Sequence, residues 1–290
     1  MKSTRLQFKE LLEKEEILVA PGCHDPLSAK IIESLGFKCA SLGGWALGAQ
    51  LGITEPLTTL TEMVMMSKYI VDWIDIPLFV DAGSGFGDVN MVYRTVKEFE
   101  KAGVAAIHFE DQVVPKRSSY HKGIHDIIPV EKMVIKFRTA LEARTDPYFC
   151  IVGRTDAGRN EGESFDEAIE RSNIYSEIGI DLVEVFPKNM EDIKRAPKEI
   201  NTGVMYVASE GKRVAPNFKD LEKYGYKMVN YPFTSVLAMV KEIKNVYSNL
   251  IQTGKTGYKY DECKKIVSDV KEMLSLEDFY KMEEKYFQKK

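Results

Sequence analysis

Two acidic segments of this chain each follow directly on a short apolar run. Residues 79–80 lead into Asp81 and a glycine-rich turn, and residues 106–109 lead into Glu110. The strands of an α/β barrel deliver their last residues to the rim where ligands bind, so both carboxylates are expected to face one mouth. Carboxylate oxygens are the preferred ligands of hard cations. The two segments therefore predict a site for a hard cation such as Mg²⁺, with Mn²⁺ as the alternative. Asp81 is one expected ligand, and either Glu110 or its neighbour Asp111 is another, the remaining acid pairing with a lysine or arginine. For Asp81, a structural turn cap is the other interpretation.

Polar groups also follow other apolar runs. Ser41, Gly43 and Gly44 stand after the second run, where a hydroxyl beside backbone N–H groups can hold a carboxylate or enolate oxygen. A plain tight turn would use the same glycines. Arg154 ends the fifth run and could clamp a substrate carboxylate with two hydrogen bonds, unless it pairs with a nearby acid such as Asp156. The predicted substrate-binding residues are Ser41, Gly43, Gly44, Asp81, Arg154 and Ser209, the last of which follows the seventh run.

The segment at residues 113–128 is a long basic loop that contains glycine. Loops of this kind often close over a substrate and exclude water. Its polar candidates are Lys116, Ser119 and His121. A lone histidine in a polar loop is more often a surface residue, so His121 has that second interpretation.

Eight short apolar runs alternate with longer amphipathic stretches. The runs lie at residues 17–20, 38–42, 77–80, 106–109, 149–153, 182–185, 204–207 and 228–231. The helical patterns lie at residues 26–35, 60–73, 91–102, 131–143, 165–178, 191–196, 218–224 and 236–250. Strict alternation implies a parallel sheet, and eight such units close into a barrel. The predicted fold is α/β, a (β/α)8 TIM barrel with extra C-terminal helices; a doubly wound open sheet is the alternative.

The composition is that of a globular protein in water, with 290 residues, of which 44% are hydrophobic and 29% charged. A formal net charge of -4 gives no overall attraction to nucleic acid or to an anionic membrane. No apolar run approaches the roughly 20 residues that span a bilayer. The four cysteines are far apart and form no C-x-x-C pair, which fits a reducing cytoplasm and argues against a zinc knuckle. The expected partner is a small molecule, not nucleic acid or membrane.

The tail that begins at Gly257 has a further helical pattern, with Ile266, Val270, Met273 and Leu274 on one face. It lies beyond the eighth strand–helix unit, so its apolar stripe must pack on the barrel or on another subunit. The chain is therefore predicted to comprise a barrel domain at residues 1–256 and a helical extension at residues 257–290.

Taken in order, the motifs resemble those of the isocitrate lyase/phosphoenolpyruvate mutase superfamily over nearly the whole chain. The matching segments are P-G-C-H-D-P-L-S-A at 21–29, D-A-G-S-G-F-G at 81–87, E-D-Q at 110–112, P-K at 115–116, R-T-D-A at 154–157 and Y-P at 231–232. Several separated motifs in the right order make the resemblance specific.

The resemblance implies a barrel that binds a small 2-oxo or 2-hydroxy acid over Mg²⁺ and breaks a bond beta to its carboxylate, often leaving an enolate. It implies Asp81 and Glu110 as metal ligands, with Glu55 where relatives carry an aspartate. It also implies exchange of the last helices between subunits, usually in homotetramers. The catalytic candidates are Lys116, Ser119, His121, Arg154 and Glu55.

Three departures from the family pattern bear on function. Gly83 stands where the family has a second aspartate, which should weaken metal binding. The lid lacks the cysteine that serves the lyase branch as proton donor, and its P-K-x-x-S-x-H-x-G spacing is similar to that of the phosphonate branch. The R-T-D-A segment at 154–157 instead resembles the branch that cleaves carbon–carbon bonds.

The leading prediction is a Mg²⁺-dependent carbon–carbon lyase that acts by retro-aldol cleavage or decarboxylation. Decarboxylation suits the missing cysteine because it needs an electron sink but no strong acid beside the leaving group. The alternatives are a mutase or hydrolase of carbon–phosphorus bonds and a barrel that binds carboxylates without turnover.

Overall fold

Eight parallel strands form a closed barrel in sequence order. The computed structural model describes residues 3–117, 121–122, 125–209 and 214–287. Pairing of the last strand with the first closes the barrel, which confirms the predicted TIM barrel and excludes the open sheet. The strands are β1 Leu18–Cys23, β2 Ala40–Leu42, β3 Leu78–Asp81, β4 Ala106–Glu110, β5 Cys150–Arg154, β6 Leu182–Glu184, β7 Val204–Val207 and β8 Met228–Tyr231.

Helices connect the strands around the outside. All eight predicted helical patterns form helices with bounds close to those expected. Helix α3 was not predicted, because two of its eight residues are glycines, which lower helix propensity. A short 3-10 turn, Glu55–Leu57, precedes α4. The helices are α1 Thr4–Glu13, α2 Pro26–Ser34, α3 Gly44–Leu51, α4 Leu60–Val71, α5 Val89–Lys101, α6 Val130–Ala143, α7 Asp166–Glu177, α8 Met190–Glu199, α9 Phe218–Tyr224, α10 Thr234–Thr253, α11 Tyr260–Met273 and α12 Leu276–Tyr286.

The side chains inside the barrel and those between strands and helices form two separate cores. The inner core contains alternate strand residues such as Phe79, Val152 and Met205, together with Phe8 of α1, which is fully buried. Arg5 of α1 donates from Nε to the carbonyl of Val104, just before β4, at 3.0 Å. Helix α1 therefore closes the amino-terminal end of the barrel, and the carboxyl end is left for ligands.

The strand register aligns charged residues at the carboxyl end. Asp81 pairs with His108 across β3 and β4, Glu110 with Arg154 across β4 and β5, and Arg154 with Glu184 across β5 and β6. Every second residue of a strand faces the same side. The interior at this end therefore receives acids and bases from four successive strands.

The chain divides into two compact units, Met1–Val236 and Leu237–Lys290. The predicted boundary at residue 257 lies within the second unit, and the assignment of a separate helical extension there stays a prediction. No described side chain between residues 237 and 287 is buried, and apolar ones such as Phe279 and Phe287 are exposed. Within the part of the chain that the structure describes, no helix is long and apolar enough to cross a membrane.

Candidate active site

A cavity of about 70 Å³ lies at the carboxyl ends of the strands. Charged side chains from several strand ends and the lid segment line one part, and an apolar wall lines the rest. The charged residues are Glu55, Asp81, His108, Lys116, Arg117, Arg154, Arg159 and Glu184. The apolar residues are Leu42, Trp45, Phe79, Phe186, Val207, Pro232 and Phe233.

Asp81 ends β3 and is held by backbone donors. Its Oδ1 accepts from the N–H of Gly83 at 2.8 Å, and its Oδ2 accepts from the N–H of Gly44 at 3.2 Å. Burial alone would raise the pKa of Asp81, but Lys116 and His108 outweigh it and hold the pKa well below its ordinary value. Asp81 is therefore a carboxylate. It does cap the turn, as the structural interpretation had it, and it also lines the cavity.

Lys116 reaches from the lid segment into a group of three carboxylates. Its Nζ lies 2.7 Å from Oε1 of Glu55, 2.9 Å from Oε1 of Glu110 and 3.3 Å from Oδ1 of Asp81. These acids outweigh the burial of the amine and raise its pKa well above the ordinary value. Four of the predicted site residues thus meet at one point.

His108 is a second buried cation at this end of the barrel. Its Nε2 lies 3.0 Å from Oδ1 of Asp81, and its Nδ1 lies 2.6 Å from Oε2 of Glu184. Burial opposes the charge, but Glu184 and Asp81 outweigh burial and raise the pKa of His108 to about 10. Both ring nitrogens face carboxylates, so the histidine is an ion-pair partner and not a free metal ligand.

Glu110 is fully buried, and no well-aligned hydrogen-bond donor among the described residues reaches either of its carboxylate oxygens. Burial raises its pKa, although Arg154 and Lys116 oppose that effect. One donor atom from each of Asp81, His108 and Glu110 lies within 4.8 Å of the others, which is close enough to hold a metal ion. Both ring nitrogens of His108 face carboxylates, so the oxygen donors of this group are Asp81, Glu110 and Glu55, which all contact Lys116. An all-oxygen set of this kind fits a hard divalent cation.

Arg154 lines the cavity, but its guanidinium already has acidic partners. It donates to the two oxygens of Asp156 from Nε at 3.0 Å and from Nη2 at 3.2 Å. Its Nη1 lies 3.4 Å from Oε2 of Glu110. Arg159 also pairs with Asp156, and Phe186 lies beneath both guanidinium groups, with ring-centre distances of 4.8 and 4.3 Å. The ion pair between Arg154 and Asp156, which the sequence analysis gave as the alternative to a substrate clamp, is thus present.

The other predicted substrate-binding residues divide into two groups. Gly43, Gly44 and Ser209 line the cavity. Ser41 does not line it; this serine is buried behind it and donates from Oγ to Oδ1 of Asn230 at 2.6 Å. Asn230 itself lines the cavity, so Ser41 would act through the orientation of that amide.

Of the other predicted lid residues, His121 lies away from the described cavity lining. Nε2 of His121 lies 3.0 Å from Oγ1 of Thr54, the neighbour of Glu55, and the histidine is not among the lining residues. Ser119 lies outside the described residues.

Asp111, the acid next to Glu110, has a structural role. Its carboxylate accepts from Thr155 Oγ1 at 2.7 Å, from the N–H of Asp156 at 2.9 Å and from Tyr175 Oη at 3.0 Å. Arg171 lies 3.3 Å away. These bonds fix the end of β5 and so position Arg154 and Asp156.

Sequence reasoning missed Glu184, Asn230 and the aromatic wall of Trp45, Phe186 and Phe233. The ring centres of Trp45 and Phe233 lie 4.8 Å apart, edge to face. Glu184 ends β6 as an acid after two apolar residues, which is the signal that found Asp81. The aromatic residues carry no chemical signal of their own and are identified only by their place in the fold.

A closed parallel barrel whose strand ends place acids and bases in one cavity has the architecture of a TIM-barrel enzyme. The chain belongs to the phosphoenolpyruvate phosphomutase family, whose profile matches residues 8–251. The superfamily inferred from the motifs is thereby confirmed.

Relatives of similar length are named as lyases. The chain is 36% identical to 2,3-dimethylmalate lyase of Eubacterium barkeri over 98% of both chains. It is 37% identical to 2-methylisocitrate lyase of Aeropyrum pernix over 86% of this chain and 80% of that protein. The prediction of a lyase of this superfamily is confirmed at the level of enzyme class.

Solved structures show the same fold. Oxaloacetate acetylhydrolase in complex with 3,3-difluorooxalacetate matches with a TM-score of 0.89 and 24% identity over 97% of this chain and 96% of that one. A phosphonopyruvate hydrolase complex with oxalate and Mg²⁺ matches with a TM-score of 0.86 and 22% identity over 99% and 100%. At these identities the likeness supports the barrel alone.

Proposed function

We propose that this protein is a Mg²⁺-dependent lyase that cleaves a carbon–carbon bond of a small 2-oxo or 2-hydroxy carboxylate through a pyruvate-like enolate. The observation that carries the proposal is the convergence of Glu55, Asp81 and Glu110 on the ammonium group of Lys116, which lines a small cavity, at distances of 2.7, 3.3 and 2.9 Å. Three carboxylates with one centre are the donor set of a hard divalent cation. The names of the two lyase relatives support the reaction class.

Asp81, Glu110 and Glu55 are the residues that would hold Mg²⁺. The ion would supply Lewis-acid stabilisation of negative charge on substrate oxygens. The side-chain amide of Asn230 lies in the same lining and is a neutral polar group for the substrate, whereas the N–H of Gly44 already donates to Oδ2 of Asp81. Fixed dipoles at a site where charge develops need no reorganisation during the reaction.

The cationic side of the cavity would bind the substrate carboxylates. Arg154, Arg159 and Arg117 all line it. Arg154 is oriented by Asp156 at one edge of its guanidinium, and its Nη1 lies 3.4 Å from Oε2 of Glu110. A planar guanidinium group binds a carboxylate in a fixed orientation. These arginines would therefore determine the orientation of the bound substrate.

The apolar wall would hold the carbon skeleton and keep water from it. Trp45, Phe186, Val207 and Phe233 offer carbon surface opposite the charged groups. A substrate with short alkyl substituents fits such a wall better than an all-polar acid, since burial of each methylene contributes about 0.8 kcal/mol. We therefore infer an alkyl-substituted 2-hydroxy or 2-oxo dicarboxylate as the substrate class, in line with the name of the Eubacterium barkeri relative.

The proton that the leaving fragment needs has no assigned donor. The lid reads Lys116, Arg117, Ser118, Ser119, Tyr120 and His121, without a cysteine. His121 would have to leave Thr54 to serve, and Tyr120 lies outside the described residues. A β-keto acid loses CO₂ and leaves only the enolate, which water can protonate, so decarboxylation needs no such donor.

One feature favours a second candidate, the cleavage of carbon–phosphorus bonds. The lid spacing P-K-x-x-S-x-H-x-G matches the phosphonate branch. A barrel that binds carboxylates without turnover is the third. We further propose a homo-oligomer, a tetramer by the family resemblance, that works in the cytoplasm.

Product analysis by NMR distinguishes these candidates. Purified protein with Mg²⁺ is incubated with 2,3-dimethylmalate, 2-methylisocitrate, oxaloacetate and phosphonopyruvate, and an Asp81→Asn variant is the matched control. Pyruvate or another oxo acid formed from a carbon–carbon substrate, and lost in the variant, supports the proposal. Turnover of phosphonopyruvate alone contradicts the proposal and supports cleavage of carbon–phosphorus bonds. Binding of every acid without product supports the non-catalytic barrel.

A further inference from the structure

The ammonium group of Lys116 occupies the centre of the proposed cation site. Its Nζ lies 2.7 Å from Glu55, 2.9 Å from Glu110 and 3.3 Å from Asp81. These are contact distances, so a metal ion coordinated by the same oxygens would overlap the ammonium position. The lysine and a divalent cation therefore require the same space.

Gly83 borders the side chain of Lys116. A Cβ at position 83 would lie 3.7 Å from Nζ of Lys116, 3.8 Å from Cε and 3.9 Å from Cδ. The lysine stem thus runs along a stretch of backbone that carries no side chain. The position where the family pattern has a second aspartate is here the contact surface of the lysine.

The charges of the site also oppose simultaneous occupancy. Lys116 contacts Glu55, Asp81 and Glu110, and Nη1 of Arg154 lies 3.4 Å from Glu110, so two basic side chains already pair with these acids. A divalent ion added to this group would face the ammonium across a few ångströms of buried space, where repulsion is poorly screened.

The structure also provides a place for the displaced lysine. A second cavity of about 90 Å³ adjoins the first and shares Gly44, Glu55, Asp81 and Lys116 with it. Gly83, Phe86 and Val114 line its other side. Lys116 lines both cavities and lies outside the eight strands, so movement of its side chain from one cavity to the other breaks no strand pairing.

We propose that Lys116 is a tethered cation that competes with the divalent metal for Glu55, Asp81 and Glu110. Metal entry expels the lysine from the carboxylates, and metal loss returns it, so the position of the Lys116 side chain depends on metal occupancy. This inference rests on the proposed function for the location of the metal site, but not for the reaction.

Calorimetry with Mn²⁺ tests the competition directly. Lys116→Met removes the charge and keeps the length of the side chain, and it should lower the Kd for Mn²⁺ at least tenfold. Lys122→Met, an exposed lysine of the same loop, is the control and should leave the Kd unchanged. An unchanged or raised Kd in Lys116→Met overturns the proposal.

Lysine acetylation of the wild-type protein, followed by mass spectrometry, gives a readout that no substitution can disturb. The Lys116 side chain is 12% exposed and should react slowly without metal. Saturating Mg²⁺ should raise its labelling rate at least threefold and leave that of Lys122 unchanged; an equal or lower rate at Lys116 contradicts displacement. If displacement is observed but no acid is turned over, the proposed reaction fails and the competition stands. If an acid is turned over but wild type and Lys116→Met bind Mn²⁺ with equal affinity, the competition fails and the proposed reaction stands.

Discussion

Nδ1 of His108 lies 2.6 Å from Oε2 of Glu184 in the buried carboxyl end of the barrel. The same imidazole contacts Asp81 through Nε2 at 3.0 Å. His108 thus joins an acid of β6 to an acid of β3 across the inside of the barrel. Asp81 keeps its place at the proposed metal site partly because this ring lies behind it.

Replacement of Glu184 by glutamine should destabilise the protein. The amide keeps the shape but removes the charge that pairs with the buried imidazolium, at a cost of roughly 1–3 kcal/mol in the free energy of unfolding. Urea denaturation measures the change. Glu170→Gln, at an exposed position of α7, is the control and should stay within about 0.5 kcal/mol of wild type. Equal stabilities of the two variants would show that the His108–Glu184 contact has no energetic weight.

The strand-end rule predicted most of the polar site, and its failure at Glu184 has a physical reason. Asp81, Glu110 and Arg154 were found because each follows an apolar run, and the barrel brings such positions together. Glu184 was counted as part of the apolar run at residues 182–185 and was therefore not recognised as a strand-end acid. It stands two residues after the inward-facing Leu182, so its side chain must face inward as well. Alternation within the strand would have identified it.

The contacts of Lys116 and Arg154 could not be predicted from the sequence. The placement of Lys116 depends on the path of the lid segment over the barrel, which no local pattern specifies. For Arg154 the sequence allowed either a substrate clamp or an ion pair. The close approach of its guanidinium to Asp156, two residues on, depends on backbone geometry that Asp111 holds in place.

Gly83→Asp should strengthen divalent-metal binding. The atoms nearest to the new Cβ belong to the Lys116 side chain and lie at ordinary contact distances, and aspartate tolerates the φ of +54° at this position better than most residues. A further carboxylate both adds a ligand and draws the lysine away from the other acids. We expect a Kd for Mg²⁺ at least tenfold lower by calorimetry. Gly83→Asn has the same shape without the charge and should not reproduce the gain; if it does, or if Gly83→Asp binds no more tightly, the metal does not contact this turn.

Arg154→Lys should impair turnover of whichever acid the enzyme accepts. A lysine can keep one of the two bonds to Asp156 and offers no planar group to a carboxylate. The expected loss in kcat/KM is on the order of 30-fold, which corresponds to about 2 kcal/mol of transition-state binding. Steady-state kinetics and a thermal melt of the same preparation separate this effect from unfolding. If the melting temperature of the variant falls while its kcat/KM stays at the wild-type value, Arg154 has only a structural role, as an ion-pair partner.

Arg5 should stabilise the barrel in a pH-dependent manner. Its Nη1 donates to Oδ2 of Asp146 at 2.8 Å. Partial burial would raise the pKa of Asp146, but the hydrogen bond from Arg5 and one from the N–H of Tyr148 outweigh it, and the pKa is lowered. An acid with a lowered pKa in the folded state stabilises the protein above its unfolded pKa of about 4, and this contribution is lost as the pH falls through the folded value.

The corresponding variant is Arg5→Met, which keeps the length of the side chain. It should unfold with a free energy roughly 1–3 kcal/mol below wild type at pH 7, and the difference should shrink as the pH falls below about 4. Urea denaturation across this pH range measures both values. A difference that does not change with pH would assign the effect to the bonds that Arg5 makes to the carbonyls of Val104 and Glu100 instead.

Removal of residues 257–290 should lower the oligomeric state. The described part of this tail buries no side chain of its own, and its exposed apolar residues include Phe279, Tyr286 and Phe287, at 57%, 66% and 77% exposure. Apolar surface of this extent is typical of a segment covered by a partner, and a second copy of the same chain is the commonest partner. Sedimentation velocity should show a smaller assembly for the truncated protein than for the full chain. Phe279→Lys in the full-length chain is a milder test, since a charge in a covered apolar surface should weaken the assembly without shortening the tail. Two results together would show that the tail does not join subunits. The sedimentation coefficient of Phe279→Lys would be unchanged, and that of the truncated chain would decrease only as much as its lower mass requires.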